Sequence, residues 1–468
     1  MLAGLLAEAV RRFGDRPAYV GVGRSVTYAE LEVLVRETAA GLAARGVGQG
    51  DVVALTLPNG PDYVACYLGA ARIGAVTAGI STRLAAPEQR RLLELAQPAL
   101  VVTPEVIEDL RRPAPAVPMV EPDPDRPVAV VFTSGTTGTP KGAVFAERQL
   151  AAVREVDIGD VWGAGGSSLF ATSMTHMGFM TKIAAALQAG GTAHLVERWD
   201  ADEALRLASS LRLTSLAGVP TQFALMLASA TIDEVDLSSV RGILIGGGPA
   251  TPELVRRIRA RFGVPLVVRY SCTEAGIGCG TLPGDPPEDA EETVGRPLRG
   301  VELAIRDDAG ADQPQGTVGE VLLRSAAVMS GYHGDAAATA ATLTDDGFVR
   351  TGDLGFVDER GRLRLSGRRS EMYVRGGYNV FPTEVEAVLA GHPAIDAVAI
   401  VPRPDEVMGE IGVAVVVSDA PPTLEELRAY GRPSLAPHKL PEALLVVAAL
   451  ALTAGDKLDR RALTDLVR

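Results

Sequence analysis

Residues 133–142 hold the densest set of groups that could bind an anion. The sequence TSGTTGTPKG contains three glycines, four threonines, one serine and Lys141. Glycines allow the backbone to curl so that several N–H groups converge on one anion, and the hydroxyls and the ammonium add further donors. The segment does not match the Walker A pattern GxxxxGK[ST], because no serine or threonine follows Lys141. It therefore predicts a phosphate-binding loop of another kind.

Five further segments suited to nucleotide chemistry follow this loop along the chain. They are GGGP at 246–249, RYSCTE at 269–274, RTGD at 350–353, GR at 367–368 continued by RGGYNVFPTEVE at 375–386, and TAGDKLDRR at 453–461. With TSGTTGTPKG, they resemble in the same order the motifs of the adenylate-forming superfamily, which includes acyl- and aryl-CoA synthetases, peptide-synthetase adenylation domains and luciferase. The resemblance extends over nearly the whole chain and is closest to a stand-alone acyl- or aryl-CoA synthetase.

The resemblance implies an ATP site. Its phosphate loop would supply Thr133, Ser134, Gly135, Thr136, Thr137, Gly138 and Lys141. Its glycine-rich wall would be Gly246, Gly247, Gly248 and Pro249. Tyr270 would stack on adenine, Thr273 would contact the α-phosphate, and Arg368 would complete the site. Asp353 would bind the ribose, because an ionised carboxylate can accept two hydroxyl hydrogen bonds.

The same resemblance implies the catalytic groups. A carboxylate that attacks the α-phosphate approaches a polyanion, so cations have to offset the charge that gathers in the transition state. Lys457 would bridge the acyl oxygen and the nucleotide, and Glu274 would hold Mg²⁺ on the phosphates. His176 matches a position between the acyl pocket and the thiol channel. It could control that junction, or it could be a packing histidine.

A second step is implied for the C-terminal part of the chain. In the family this domain rotates about a hinge after adenylation and presents a glycine-rich loop to the thiol of CoA. Gly376 and Gly377 occupy that loop, and glycines suit a narrow channel because they carry no side chain. Ser370 stands at the hinge position where the family usually has Asp or Lys.

The acyl pocket is predicted from the neighbours of these motifs. Its candidate walls are Met174, Met177, Phe179, Val219, Cys272 and Gly276, with Ile243 and Ile277 as further candidates. A mostly apolar lining suits an aliphatic or aromatic acid, although part of this set could belong to the ordinary core. Arg269 departs from the family, in which glycine is frequent at this position. It could pair with a polar or acidic substrate or take part in a structural ion pair.

Regular elements have to hold these loops in place. The capping box Thr27-Tyr28-Ala29-Glu30 predicts a helix that stops at Gly46. Strands are predicted over 52–57, 99–103, 128–132, 215–219 and 242–245, with a helix over 61–73. This alternation predicts an α/β fold with a largely parallel sheet. Short strands and turns over 301–369 predict a small β-rich subdomain, and a compact α+β unit follows from about residue 371.

The predicted domains are an N-terminal adenylate-forming domain at 1–367, a hinge at 368–370 and a mobile C-terminal lid at 371–468 that carries the catalytic lysine. The 468 residues are too many for one compact core, which agrees with this division.

Composition narrows the function classes. The net charge of −13 argues against nucleic acid as a partner. Three cysteines without a CxxC pair argue against structural zinc and a disulfide framework. The first residues lack the layout of a secretory signal, and the longest apolar run is too short to span a bilayer. We therefore expect a cytoplasmic monomer or homodimer. Only four lysines occur, at 141, 182, 439 and 457, and two of them fall inside the motifs.

Three functions remain open. The first is ATP- and Mg²⁺-dependent activation of a carboxylic acid with release of pyrophosphate, followed by transfer to the thiol of CoA. The second hands the acyl group to the phosphopantetheine of a carrier protein. The third is diverged adenylating chemistry, such as a luciferase-like oxidation or the ATP-dependent diazotisation of an arylamine with nitrite.

Overall fold

Strands and helices alternate through the first part of the computed structural model, which describes residues 2–21, 23–133, 140–170, 172–196, 199–453 and 457–468. The helices of the described residues are α1 (Leu2–Phe13), α2 (Tyr28–Ala44), α3 (Pro61–Arg72), α4 (Ala86–Ala96), α5 (Pro104–Leu110), α6 (Glu147–Asp157), α7 (Met177–Met180), α8 (Ile183–Ala189), α9 (Ala201–Ser210), α10 (Pro220–Ala228), α11 (Thr231–Glu234), α12 (Pro252–Phe262), α13 (Pro287–Glu292), α14 (Ala336–Thr342), α15 (Pro382–Leu389), α16 (Leu424–Gly431) and α17 (Arg460–Val467). Single 3₁₀ turns occur at Thr273–Ala275, Arg369–Glu371 and Pro437–Lys439.

The strands form five sheets. They are β1 (Pro17–Gly21), β2 (Arg24–Thr27), β3 (Val52–Leu55), β4 (Val76–Gly79), β5 (Leu100–Val102), β6 (Pro127–Thr133), β7 (Lys141–Ala146), β8 (Ser167–Phe170), β9 (Thr192–Leu195), β10 (Ser215–Gly218), β11 (Gly242–Gly246), β12 (Leu266–Tyr270), β13 (Cys279–Gly280), β14 (Arg296–Pro297), β15 (Glu302–Arg306), β16 (Gly319–Arg324), β17 (Gly331–Tyr332), β18 (Val349–Val357), β19 (Leu363–Arg368), β20 (Tyr373–Arg375), β21 (Tyr378–Val380), β22 (Ala397–Asp405), β23 (Gly409–Val417) and β24 (Ala443–Val446).

The predicted α/β class is confirmed, and parallel pairing occurs in several sheets, including the sheet β2-β1-β9-β8, in which β9 pairs in parallel with β1 and with β8. The six-stranded sheet has the order β17-β7-β6-β4-β3-β5, in which β3 to β6 pair in parallel. The five-stranded sheet has the order β10-β11-β12-β13-β14, in which the first three strands are parallel. Both sheets end in antiparallel strands, so each is mixed.

Local signals place the predicted helices well. Thr27 Oγ1 accepts a hydrogen bond from the Glu30 backbone N–H at 3.2 Å, and Glu30 Oε2 accepts one from the Thr27 N–H at 2.8 Å. This reciprocal pair satisfies two donors that the first turn of α2 would otherwise leave open. Proline stands at the start of α3 and of α15, where its missing N–H is not needed.

The largest core lies around the six-stranded sheet. Strands β3 and β4 are buried throughout, and α3 buries Tyr63 and Tyr67 completely against them. A second core fills the space between the five-stranded sheet and helices α9, α10 and α12. The three cysteines are buried with free thiols, so they contribute to packing and not to cross-links.

Two further sheets follow, the first antiparallel and the second mixed, because β24 pairs in parallel with β23. Strands β15-β16-β18-β19 form the β-rich part that the turn pattern predicted. Strands β20 to β24 form the last sheet, which packs α15 against one cluster of apolar side chains and α17 against another. No helix within the described residues is long and apolar enough to cross a membrane.

Candidate active site

The predicted phosphate loop connects β6 to β7. These strands pair antiparallel, and Thr133 lies opposite Lys141 in the register. Five of the predicted loop residues lie outside the described part of the chain: Ser134, Gly135, Thr136, Thr137 and Gly138. Their phosphate contacts therefore stay predictions, while the two strand ends fix where the loop begins and returns.

Lys141 leads from the loop to a tyrosine that no motif had indicated. Its Nζ lies 5.1 Å from the centroid of the Tyr332 ring, within the range of a cation–π contact. The Tyr332 hydroxyl donates to Glu274 Oε1 at 2.7 Å. Burial, with the Glu274 carboxylate next to it, raises the pKa of Tyr332, so the phenol stays a donor. Lys141, Tyr332 and Glu274 thus form one continuous polar row.

Glu274 sits on a tight turn whose shape requires glycine. The Glu274 carbonyl accepts a hydrogen bond from Met329 N–H at 2.9 Å. Gly276 follows with φ +69°, and a Cβ there would stand 2.7 Å from the Ala327 carbonyl oxygen. The close approach of these two segments explains Gly276 better than the predicted acyl-pocket role does. Thr273, on the same turn, is half-buried beside Glu274.

A buried carboxylate forms a second polar centre. Asp353 accepts a hydrogen bond from the Tyr270 hydroxyl at 2.7 Å and another from Arg368 Nε at 2.7 Å. The β18–β19 register places Asp353 directly opposite Arg368, and burial raises the pKa of Tyr270. Three predicted ATP-binding residues therefore meet here: Tyr270 lies 83 residues before Asp353 in the sequence, and Arg368 lies 15 residues after it.

Lys457 enters the same region from the end of the chain. Thr453 N–H donates to the Lys457 carbonyl at 2.7 Å, and Lys457 N–H donates to Thr453 Oγ1 at 3.3 Å. The Lys457 side chain lies against Gly247, because a Cβ built on that glycine would lie 3.7 Å from Lys457 Cε and 4.0 Å from Nζ. The side chain keeps solvent access, but surrounding protein lowers the pKa of Lys457, and Arg368 lowers it further.

His176 shares this cleft. It begins α7 and keeps an exposed surface, while protein and two cations surround its ring at longer range. Burial, Lys457 and Arg83 together lower the pKa of His176 to about 4. The imidazole is therefore neutral at pH 7 and can accept or donate a hydrogen bond without adding positive charge to the site.

The glycine-rich wall ends β11. Gly247 has φ +78°, a conformation that side chains rarely adopt, and Val219 Cγ1 lies 3.4 Å from the position of its missing Cβ. Gly248 and Pro249 are exposed next to it. The open surface here is bare backbone, which leaves room for a flat ligand to lie against the strand end.

The predicted acyl wall needs a correction. Met174 and Phe179 belong to the large core: Met174 is 1% exposed, and the Phe179 ring meets those of Tyr63 and Phe170 edge-on. The structure therefore gives both residues a packing role, the alternative that the sequence had left open.

The remaining acyl-wall candidates divide between the hydrophobic core and the cleft. Cys272 is buried, and burial raises the pKa of its thiol. Ile243, 2% exposed, faces the helices. Met177 remains half-buried at the cleft, and Val219 touches the glycine wall.

The predicted thiol-channel glycines form a turn between β20 and β21. Gly376 and Gly377 both have positive φ, +54° and +86°, and a Cβ on Gly377 would meet no atom within 4 Å. Ser370 is exposed in the 3₁₀ turn that leads from β19 to this sheet. Positive φ explains the glycines by themselves, so their channel role stays a prediction.

Arg460 was missed by the sequence analysis. Its guanidinium binds both Glu386 oxygens at 2.7 and 2.8 Å and, through Nε, the Glu371 carboxylate at 2.9 Å. Arg460 opens α17 three residues after Lys457, Glu386 lies on α15, and Glu371 follows Ser370. The lysine loop is therefore tied to the segment that leaves β19.

Magnesium fits this site only together with a ligand. Among the described residues, no group of three or more His, Cys, Asp or Glu side chains could hold a metal ion. Mg²⁺ commonly binds through one or two carboxylates plus substrate phosphates. Glu274, with one oxygen on Tyr332 and Lys141 over the ring of that tyrosine, is suited to that arrangement.

Two clefts of about 360 Å³ lie elsewhere on the surface, one beside α13 and one between α12 and α15. Neither contains a residue of the predicted motifs, so cavity size does not locate the site. The candidate site is indicated instead by three sets of contacts: Tyr270 and Arg368 with Asp353, Lys141 and Glu274 with Tyr332, and Lys457 with Gly247.

Comparison with known proteins agrees with this geometry. A family model described as AMP-binding enzyme matches residues 6–333, and one described as AMP-binding enzyme C-terminal domain matches residues 384–457. The chain belongs to this family, and the adenylate-forming superfamily that the motifs indicated is thereby confirmed. Within it, relatives named as CoA ligases support the predicted class of AMP-forming acyl-CoA synthetases.

Three similar proteins illustrate the range of activities named among the relatives and solved structures. The indoleacetate–CoA ligase of Aromatoleum aromaticum is 34% identical over 95% of this chain and 94% of its own. The fatty acid–[acyl-carrier-protein] ligase ScoC of Streptomyces coeruleorubidus is 31% identical over 96% and 93%. The solved structure of the amide bond synthetase McbA from Marinactinospora thermotolerans has a TM-score of 0.88 at 32% identity and covers 100% of both chains.

Proposed function

We propose that the chain uses ATP to convert a carboxylic acid to an acyl-adenylate and transfers the acyl group to the thiol of CoA. The observation that carries the proposal is the approach of Lys457, from the end of the chain, to Gly247 in the cleft that also holds His176. A structural lysine would pair with a carboxylate, as Lys439 does with Glu384 at 2.5 Å. Within the described ranges, Lys457 makes no ion pair.

In the first step, a carboxylate oxygen of the acid attacks the α-phosphorus. A new O–P bond forms, the bond from the α-phosphorus to the bridging oxygen breaks, and pyrophosphate leaves. The Lys457 ammonium offsets the negative charge on the attacking oxygens and the α-phosphate. Lys141 and the loop before it hold the departing pyrophosphate. Mg²⁺ bound by Glu274 would neutralise phosphate charge.

Nucleotide binding uses the Asp353 centre. Asp353 accepts the ribose hydroxyls, while Arg368 holds its other oxygen in place. The Tyr270 hydroxyl occupies one acceptor position of Asp353, so ribose binding replaces or shares that bond. The bare backbone from Gly246 to Gly248 receives the adenine ring.

The domain arrangement belongs to the same proposal. Residues 1–367 form the adenylating domain, 368–370 the hinge and 371–468 the lid. After adenylation the lid turns about Ser370, withdraws Lys457 and brings the Gly376–Gly377 turn to the cleft. The CoA thiol then attacks the acyl carbon, the bond to the AMP oxygen breaks, and AMP leaves. We expect the enzyme to act in the cytoplasm, as a monomer or homodimer.

Two other acceptors differ only in this last step. ScoC is named for transfer to an acyl carrier protein and McbA for amide bond synthesis. A carrier-protein thiol or an amine would attack the same acyl carbon. Every residue of the adenylation site could serve all three acceptors, so the acceptor has to be measured.

The test is pyrophosphate release over a panel of acids, with and without CoA, for the wild type and Lys457→Ala. We expect loss of the ammonium to lower the adenylation rate by about 10²- to 10³-fold, as for other groups that stabilise charge only in the transition state. Lys439→Ala is the matched control, because it removes a lysine of the same C-terminal part of the chain that is paired with Glu384.

Full adenylation by Lys457→Ala would remove the role given to this lysine. If acyl-adenylate forms but CoA is never acylated, the proposed acceptor becomes a carrier-protein thiol or an amine. If none of the acids on the panel causes release of pyrophosphate, the proposal that the enzyme activates a carboxylic acid is overturned.

A further inference from the structure

Strands β11 and β12 present two different faces. Ile243 and Ile245 on β11, like Leu266 and Val268 on β12, are buried in the core against the helices. Leu244, which alternates with the two isoleucines, is 38% exposed. Its exposure shows that this face of β11 is not fully packed, unlike the face against the helices.

The register extends this open face across three strands. Ala217 pairs with Leu244, and Leu244 pairs with Val267. Ala217 is exposed and Val267 is half-buried. Residues paired across neighbouring strands share a face of the sheet, so these three side chains line one apolar strip, which we call the open strip.

Arg269 lies at the end of the open strip nearest the catalytic groups. It is two residues beyond Val267 on β12 and therefore on the same face. Its register partner is Gly246, the neighbour of the glycine that Lys457 approaches. Since adjacent Cα atoms are about 3.8 Å apart and neighbouring strands about 4.8 Å apart, the Arg269 Cα is within about 9 Å of the Gly247 Cα.

The Arg269 guanidinium uses only part of its hydrogen-bonding capacity. Its Nη1 donates to the carbonyl of Thr281 at 2.5 Å and to that of Val268 at 3.2 Å. The described residues supply no ion pair and no further hydrogen bond, which leaves Nε and Nη2 as free donors. The ion pair that the sequence had offered as an alternative is therefore absent from this part of the chain.

The Arg269 guanidinium has no counter-ion among the described residues, and its half-buried surroundings disfavour its charge. Burial lowers the pKa of Arg269, and the only carboxylate that opposes this shift is Asp157. Asp157 is bound to Lys182 at 2.6 Å. Gly280 provides the space, because a Cβ there would stand 2.4 Å from Arg269 Nη1. A carboxylate bound beside this guanidinium would favour the charged form that burial disfavours.

We propose that Arg269 binds a second carboxylate on the acid substrate, so that the preferred substrates are dicarboxylic acids whose apolar part lies on the open strip. The inference rests on the proposed acid-adenylating function and specifies its substrate class. Nε and Nη2 of one guanidinium match the two oxygens of a carboxylate. The first carboxylate reacts beside Lys457, and the second is held at Arg269.

The experiment measures kcat and KM for pyrophosphate release with matched pairs of acids. Each pair consists of a dicarboxylic acid and its monomethyl ester, over a series of chain lengths and aryl spacers. The ester keeps the size and the neutral acceptor oxygens but removes the second charge. We expect kcat/KM to be about 10- to 100-fold higher for the best diacid than for its ester, the range of a hydrogen bond to a charged group.

The variants are Arg269→Met and Arg269→Lys. The methionine variant keeps the bulk and should lose the preference through a higher KM for the diacid, with the KM for ATP unchanged. The lysine variant should recover part of the preference. Arg241→Met is the matched control, since Arg241, which precedes β11 of the same sheet, also donates through Nη1 to two backbone carbonyls but is exposed.

The inference fails if the wild type uses ester and diacid equally well, or if Arg269→Met keeps the preference. If the wild type uses the diacid and its ester equally well and Arg269→Met loses activity on both, Arg269 binds a neutral acceptor group of the substrate instead of a second carboxylate. If Arg269→Met does not fold, the wild-type pairs and Arg269→Lys still decide. Failure of every acid to release pyrophosphate would overturn the proposed function, whereas activity on monoacids alone would overturn only this inference.

Discussion

The two ends of the β18–β19 hairpin each carry an aspartate among arginines, but they are built differently. At the turn end, Asp358 binds Arg362 at 2.6 Å and Arg364 at 3.3 Å. Arg362 also reaches Asp289, which is fully buried and accepts from Arg360 as well. Burial pushes the pKa of Asp358 up, but hydrogen bonds from Arg362 and Arg364 pull it well below its usual range.

This closed cluster contributes to stability in a definite pH range. Because the folded-state pKa of Asp358 is depressed, its contribution is present above the unfolded value near 4 and is lost as the pH falls further. Each carboxylate has at least two cationic partners, and no acceptor is left for a ligand.

The other end of the hairpin is open. Asp353 has one arginine partner, Arg368, whose side chain is 42% exposed, and one neutral partner, the Tyr270 hydroxyl. A neutral hydroxyl is easily exchanged for a ribose hydroxyl, while an arginine that is buried at a carboxylate is not. The difference teaches that a buried aspartate supports the fold where cations saturate it and supports binding where a neutral donor completes it.

The largest effect should come from Asp289→Asn in the closed cluster. Removing the charge leaves Arg362, whose side chain is 6% exposed, with Asp358 as its remaining carboxylate. We expect a loss of about 3 kcal/mol in the free energy of unfolding, as for other broken buried pairs. Urea titration measures it. The KM for ATP of the folded fraction should stay close to the wild-type value, and a selective rise in KM would contradict the comparison.

Asp353→Asn makes the same chemical change at the open end and should act on binding. We expect the KM for ATP to rise by about 10- to 100-fold, because a charged hydrogen bond to the ribose is lost. Initial rates of pyrophosphate release over a range of ATP concentrations give this value. An unchanged KM combined with a large loss of stability would show that Asp353 is another structural aspartate.

The smallest effect is expected from Arg360→Met. The Arg360 side chain is 48% exposed and lies 3.1 Å from Asp289. Such solvent-screened pairs contribute between about 0 and 1 kcal/mol, so the urea midpoint should move only slightly. A loss as large as that of Asp289→Asn would mean that the outer arginine, and not the buried one, holds the cluster together.

Sequence reasoning placed elements best where a local signal exists. The capping box at Thr27 and the proline at position 382 mark the starts of α2 and α15. Strand pairing carries no comparable signal. Strand β1 pairs with β9 across more than 170 residues, and nothing in either segment specifies the partner.

The site was predictable where residues lie in recognisable motifs, and the structure brings Asp353, Tyr270 and Arg368 together. Tyr332 and Arg460 were missed because their roles depend on tertiary contacts, with Glu274 for one and Glu386 for the other. The acyl wall was misjudged for a related reason. The run from Gly242 to Gly246 is apolar on both faces, so alternation cannot tell the core face from the groove face.

The two faces of β11 also bear on how such an enzyme changes over generations. A substitution at Ile243 or Ile245 disturbs a close-packed core and costs on the order of 1 kcal/mol even for the loss of one methyl group. A substitution at the exposed Leu244 should cost about 0.5 kcal/mol or less. Selection can therefore alter the groove one residue at a time while the fold remains intact. On the substrate site proposed above, such small steps along alternate positions of one strand would change the acid preference.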